Sequence, residues 1–167
     1  MDHGIRGKKA LVNGGSAHAF TLPGQAQIEA LAGYAFPGGS HRIAHWENVL
    51  LTGCTGADLL PNGLAHPIAL FHLPISGCGT SIAGMFALGQ AESDLSIMIE
   101  SYDWEFFLPL LEEVSYAVTG QVKSAERCRN TSGQIYDRIQ FCFEVFTPQQ
   151  VPAARSTVTW HYTRNTL

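Results

Sequence analysis

One short stretch, His41-Arg-Ile-Ala-His-Trp-Glu47, holds three side chains able to carry protons: His41, His45 and Glu47. An imidazole and a carboxylate held close together form a general acid–base pair. The two-residue step from His45 to Glu47 places both on one face of a strand, whereas on a helix they diverge. His41 and His45 also stand at the i, i+4 spacing of the zinc motif H-E-x-x-H. Arg42 replaces that motif's glutamate and would set a cation beside the ion, so no metal is expected. A serine nucleophile is not indicated, because no G-x-S-x-G elbow occurs. Gly14-Gly15 runs into Ser16-Ala17-His18 with no further glycine until Gly24, so no dinucleotide cofactor is expected either.

The elements around this stretch follow from residue pattern. Phe20-Thr21-Leu22 is a short strand-like run closed by Pro23-Gly24. Gln25 to Tyr34 places Ile28, Leu31 and Ala32 at helical spacing. Pro37-Gly-Gly-Ser40 reads as a loop, Trp46 to Thr52 as a second short helix, and Pro61-Asn-Gly63 as a turn. Pro67 to Leu88 is the most apolar segment, a buried helix that Pro74 and Gly77-Cys78-Gly79 should kink or split. After Gly89 come four runs rich in β-branched and aromatic residues: 95–107, 113–123, 134–146 and 153–162. A helix apolar on most sides, followed by four antiparallel strands, predicts an α+β hotdog fold, a bent sheet wrapped around one central helix. Residues 1–19 form an N-terminal extension and 20–167 a single domain.

Composition narrows the role. With 167 residues, 46% of them hydrophobic, the chain can bury a core of its own. Only 14% are charged, which predicts that part of the surface is covered in an oligomer, a homodimer or a hetero-oligomer. A net charge of −4 and only 10 Lys and Arg argue against nucleic acid as a partner. The four cysteines show no C-x-x-C pair, and Met1–Ala10 has no apolar run of the signal-peptide kind. The apolar segment is too interrupted to span a membrane. These features lead us to expect a cytoplasmic protein.

From about Phe20 to Arg164 the chain resembles the MaoC-type hotdog proteins, the group of (R)-specific enoyl-CoA hydratases and 3-hydroxyacyl-thioester dehydratases. Ser40-His-Arg-Ile-Ala-His-Trp-Glu47 is similar to the family motif D-x-N-P-I-H-x-D, and Gly63-Leu-Ala-His-Pro67 to its A-H-G helix opening. His41 to Glu47 also resembles the H-R-I-H-Y-D of a related branch with one residue added, and Tyr102 to Gly120 the family's strand–Pro–turn–strand unit. The resemblance implies an acyl thioester of coenzyme A or acyl carrier protein as substrate, with no cofactor. It makes His45 the acid–base and places Ser40 where the family keeps its Asp, leaving Glu47 as the nearest carboxylate. Pro67 takes the place of a glycine whose N–H it cannot supply. The thioester oxygen would then be held by Ile68 or by backbone near Gly63, and Arg42 and His66 would contact substrate. Structural roles compete with each of these: a half-buried histidine at 45, a helix cap at 66, a surface ion pair at 42, a first-turn helix carboxylate at 47, a turn residue at 40. His72, on the apolar segment, reads as a core histidine. The alternatives to a hydratase or dehydratase are a hotdog thioesterase or isomerase, or a non-catalytic acyl-binding subunit.

Overall fold

A computed structural model describes residues 21–164. The N-terminal extension, with its Gly14-Gly15 pair, lies outside the described residues, as does Phe20. Thr21 and Leu22 are not strand.

The chain order is α1 (Gln25–Glu29), β1 (Gly39–Arg42), α2 (His45–Thr55), α3 (Ala69–Gly77), α4 (Ile82–Leu88), then β2 (Ile97–Phe106), β3 (Ser115–Arg129), β4 (Ile135–Phe146) and β5 (Pro152–Thr163). All five strands form one antiparallel sheet in the order β1-β3-β4-β5-β2. Along β4 every second residue from Asp137 to Val145 is buried, the period-2 pattern of a sheet with one face on a core. Phe141, Phe143, Val158 and Trp160 supply that face, and Leu70 and Leu73 of α3 join them in one core. The α+β sheet-around-helix architecture expected from the sequence is present.

Three local expectations need correction. Residues 37–40 are not all loop: Gly39–Arg42 pairs with Ser115–Val118, so Ser40 lies in a strand opposite Ala117. That pairing spans more than 70 residues of chain and leaves no trace in local composition. The first helix stops at Glu29, because Gly33 turns with φ 85° and the Tyr34 carbonyl then accepts the Val122 N–H of β3. The second helix begins at His45 and runs to Thr55, where Gly56 ends it in the left-handed conformation. The apolar segment is split as expected, at the Gly77-Cys78-Gly79 end and not at Pro74, into α3 and α4, bent by 65°. Neither is long enough to cross a membrane, and no single described helix is.

Gly77 explains how α3 comes so near the sheet edge. A Cβ there would lie 2.6 Å from Val118 Cγ2 and 3.2 Å from His41 Cβ, so glycine lets the helix touch β1 and β3 directly. The same contact brings the inward-facing side chain of β1 against α3. His41 is that side chain.

Candidate functional site

The start of α2 is fixed from a distance. Ala44 offers no capping side chain, and the carboxylate of Glu113, in the β2–β3 connection, accepts the His45 backbone N–H at 2.7 Å. Its other oxygen accepts from Arg42 at 2.6 Å in an exposed ion pair. Arg42 is thus engaged by a carboxylate of its own chain. The preceding residue, Glu112, meets the His45 ring: Nδ1 to Oε2 is 2.9 Å. Asn48, one turn along α2, donates to the same oxygen at 3.0 Å. Together these bonds, with Asn48 the larger contributor, hold the Glu112 carboxyl below the usual carboxylate range. An ionised Glu112 accepts Nδ1–H and leaves the lone pair on Nε2 of His45, whose side chain is 63% exposed.

Two backbone ties put this dyad beside the opening of α3. Glu112 N–H donates to Gly63 O, and Ala65 N–H to Leu110 O. Segments 63–65 and 110–112 therefore run together, with Leu64 bridged to Leu111. They share an apolar groove made of two adjoining cavities of about 430 and 490 Å³ that have Leu64, Leu108 and Pro109 in common. Phe106, Phe107 and Val114 extend the walls. Such a groove suits an unbranched hydrocarbon chain.

His66 is a cap: its Nδ1 accepts the Ile68 N–H at 3.2 Å, and its own N–H donates to Asn48 Oδ1 at 3.0 Å. Ile68 N–H is therefore occupied, which removes the donor expected there for a thioester oxygen. Gly63 sits at φ 70° in the turn that binds Glu112. Ser40 is exposed and, by strand alternation, faces away from the side that His41 presents to α3. No hydrogen bond joins it to His45, and the carboxylate on the His45 ring is that of Glu112.

Glu47 diverges from His45, as a helix requires, and belongs to a second cluster. It is buried under His41 and His72: His41 Nε2 lies 3.0 Å from Oε2, and His72 Nδ1 2.8 Å from Oε1. Burial pushes the Glu47 carboxyl up, but the bonds from His72 and His41 outweigh it, and the net shift is downward. His72 Nε2 in turn meets Ser76 Oγ at 2.9 Å. His72 is thus no core histidine; its ring is half exposed. The ligand atoms of His41, Glu47 and His72 lie within 4.8 Å of one another, so among the described residues these are the ones that could hold a divalent ion.

Sequence reasoning missed Glu112, Asn48 and Ser76. Asn48 at i+3 from His45 and Ser76 at i+4 from His72 carry a helical-spacing signal that could have found them. Glu112, 67 residues from His45, carries none.

No family model matches the chain, and no curated protein matches its sequence. Solved structures do match. The ChsH1-ChsH2 complex of Mycobacterium tuberculosis aligns with a TM-score of 0.62 at 10% identity, over 85% of this chain and 90% of that one. The HadBC (3R-hydroxyacyl-ACP dehydratase) complex of the same organism gives 0.55 at 10% identity, over 78% and 96%. The R-hydratase PhaJ1 of Pseudomonas aeruginosa gives 0.52 at 13%, over 81% and 83%. The chain has the hotdog fold. At such identities the likeness is one of architecture, since one fold hosts many reactions. Within this hotdog domain His72 and Ser76 of the second cluster stand on the exposed side of α3, and the His45–Glu112 dyad is tied to residues 63–66 ahead of that helix.

Proposed function

We propose that this hotdog domain hydrates 2-enoyl thioesters, or dehydrates 3-hydroxyacyl thioesters, of coenzyme A or acyl carrier protein in the cytoplasm. The observation that carries the reading is the His45–Glu112 dyad, whose Glu112 directly follows Leu111 of the groove wall. Glu112 fixes the tautomer, and Nε2 of His45 takes a proton from water as oxygen adds to the β-carbon, then returns it to the α-carbon. The groove would hold the acyl chain. Two proteins of the same fold are an R-hydratase and a 3R-hydroxyacyl-ACP dehydratase, which supports this class of reaction. The test is incubation of the pure protein with crotonyl-CoA while following loss of the enoyl absorbance. The expected result is hydration well above the buffer rate; a rate equal to buffer would overturn the reading.

A second reading rests on the donors. The N–H groups of Leu64, Ala65, His66 and Ile68 all have partners within the chain, and Ser40 carries no charge. A chain with this opening could bind acyl groups and leave the chemistry to a partner subunit. Acyl-CoA binding without turnover would support it.

Both readings call for an oligomer. β2 is an edge strand that pairs only with β5 among the described residues, and Met98 and Ile99 on it are exposed. An apolar, unpaired edge invites a second sheet. Light scattering at micromolar concentration should give twice the 18.1 kDa chain mass or more; a species of the chain mass alone would count against this.

A further inference from the structure

The Glu47 cluster is a relay with a direction. A carboxylate oxygen of Glu47 accepts from His72 Nδ1 at 2.8 Å, which places the proton of that bond on the ring. In the neutral ring Nε2 then holds a lone pair, and at 2.9 Å the Ser76 hydroxyl donates to it. His41 Nε2 lies 3.1 and 3.0 Å from the two oxygens of Glu47 and so holds the same carboxylate beside His72. The order hydroxyl, imidazole, buried carboxylate is that of a nucleophile, its base and the group that orients the base. The three residues come from two helices, with His72 and Ser76 one turn apart on α3.

Ser76 also faces a space. A cavity of about 280 Å³ is lined by Phe71, His72, Ile75, Ser76, Thr80 and Ile82. Its apolar walls and small volume suit a short acyl group. Ser81, also on this cavity, is committed to the cap of α4, its Oγ accepting Gly84 N–H at 3.0 Å. Ser76 is the hydroxyl with a base.

We propose that Ser76 is a nucleophile for acyl transfer, activated through His72 and Glu47, acting on esters or thioesters of short acyl groups. Ser76 Oγ bonds to the carbonyl carbon as its proton passes to His72 Nε2. The C–O or C–S bond then breaks, and the departing alcohol or thiol takes that proton. Water repeats the steps on the acyl-serine and releases the acid. The relay uses neither His45 nor Glu112, so it stands or falls separately from the hydratase reading.

The test is labelling of the full chain with a fluorophosphonate, read by intact mass and peptide mapping. One phosphonyl group per chain is expected, on Ser76. Ser76→Ala, which removes only an exposed hydroxyl, should abolish it, and His72→Gln should slow it about 100-fold or more. Prior treatment with a chelator should change nothing, and His45→Ala should label at the normal rate. Absence of an adduct on Ser76, a rate unchanged by His72→Gln in folded protein, or loss of labelling on chelation would each overturn the proposal.

Discussion

His45→Ala is expected to lower turnover of a 2-enoyl thioester by about 100-fold or more, the scale of losing a general acid–base. Glu112→Gln should lower it too, with little change in KM, because the new amide can offer its N–H to His45 Nδ1 and so favours the wrong tautomer. That effect acts through His45, so the double variant should be hardly slower than His45→Ala alone. The bond from Glu112 to His45 is 2.9 Å, and Asn48 holds the same carboxylate oxygen, so the pair has little room to rearrange. Ionised, Glu112 is an acceptor only, and the bonds from Asn48 and His45 that lower its pKa favour that form. His72→Ala, in the other cluster, should leave enoyl turnover within a few-fold. Equal losses at His45 and His72 would contradict the assignment, as would additive effects of His45→Ala and Glu112→Gln. Ser40→Asp should do nothing for this reaction, since the exposed Ser40 makes no bond to His45.

The architecture could be read from the sequence because it rests on period and composition. The alternation of β4 and β5, the apolar density of residues 67–88 and the Pro74 and Gly77–Gly79 interruptions are local signals of global consequence. Strand β1 could not be read, since Gly39-Ser-His-Arg42 has no β-rich composition and exists only by pairing with β3. The site divided in the same way. His45 and Glu47 stood out by type, but their partners come from elsewhere in the chain. Glu112 reaches His45 because Gly63 and Ala65 are tied to the 110–112 segment, and His72 reaches Glu47 because Gly77 lets α3 close on β1. A two-residue spacing predicts whether side chains diverge only once the element is known, and here the element begins at the very residue in question.

Asp137→Ala should cost about 3–5 kcal/mol of stability, the scale of breaking a buried ion pair. Asp137 on β4 is fully buried and binds two arginines. Arg127 meets both its oxygens at 2.7 and 2.9 Å, and Arg164 meets one at 2.7 Å. Arg164 is itself fully buried, and its remaining donors go to the carbonyls of Gly89 and Gln90 at the end of α4. Arg127 likewise reaches Pro23 O at 2.9 Å. One carboxylate therefore ties β3, β4, the end of β5, the α4 terminus and the chain entering α1. Removing it leaves the buried Arg164 guanidinium with neutral carbonyls and the Tyr162 ring, and a buried cation without its counter-charge is the expensive part of the loss. Replacing both partners by apolar residues, Asp137→Leu with Arg164→Met, removes that charge and should cost less than Asp137→Ala alone. Urea unfolding followed by circular dichroism measures both. A loss of about 1 kcal/mol or less for Asp137→Ala, the value of an exposed pair, would show that the network is solvated, and a larger loss for the double variant would show that the arginine finds another partner.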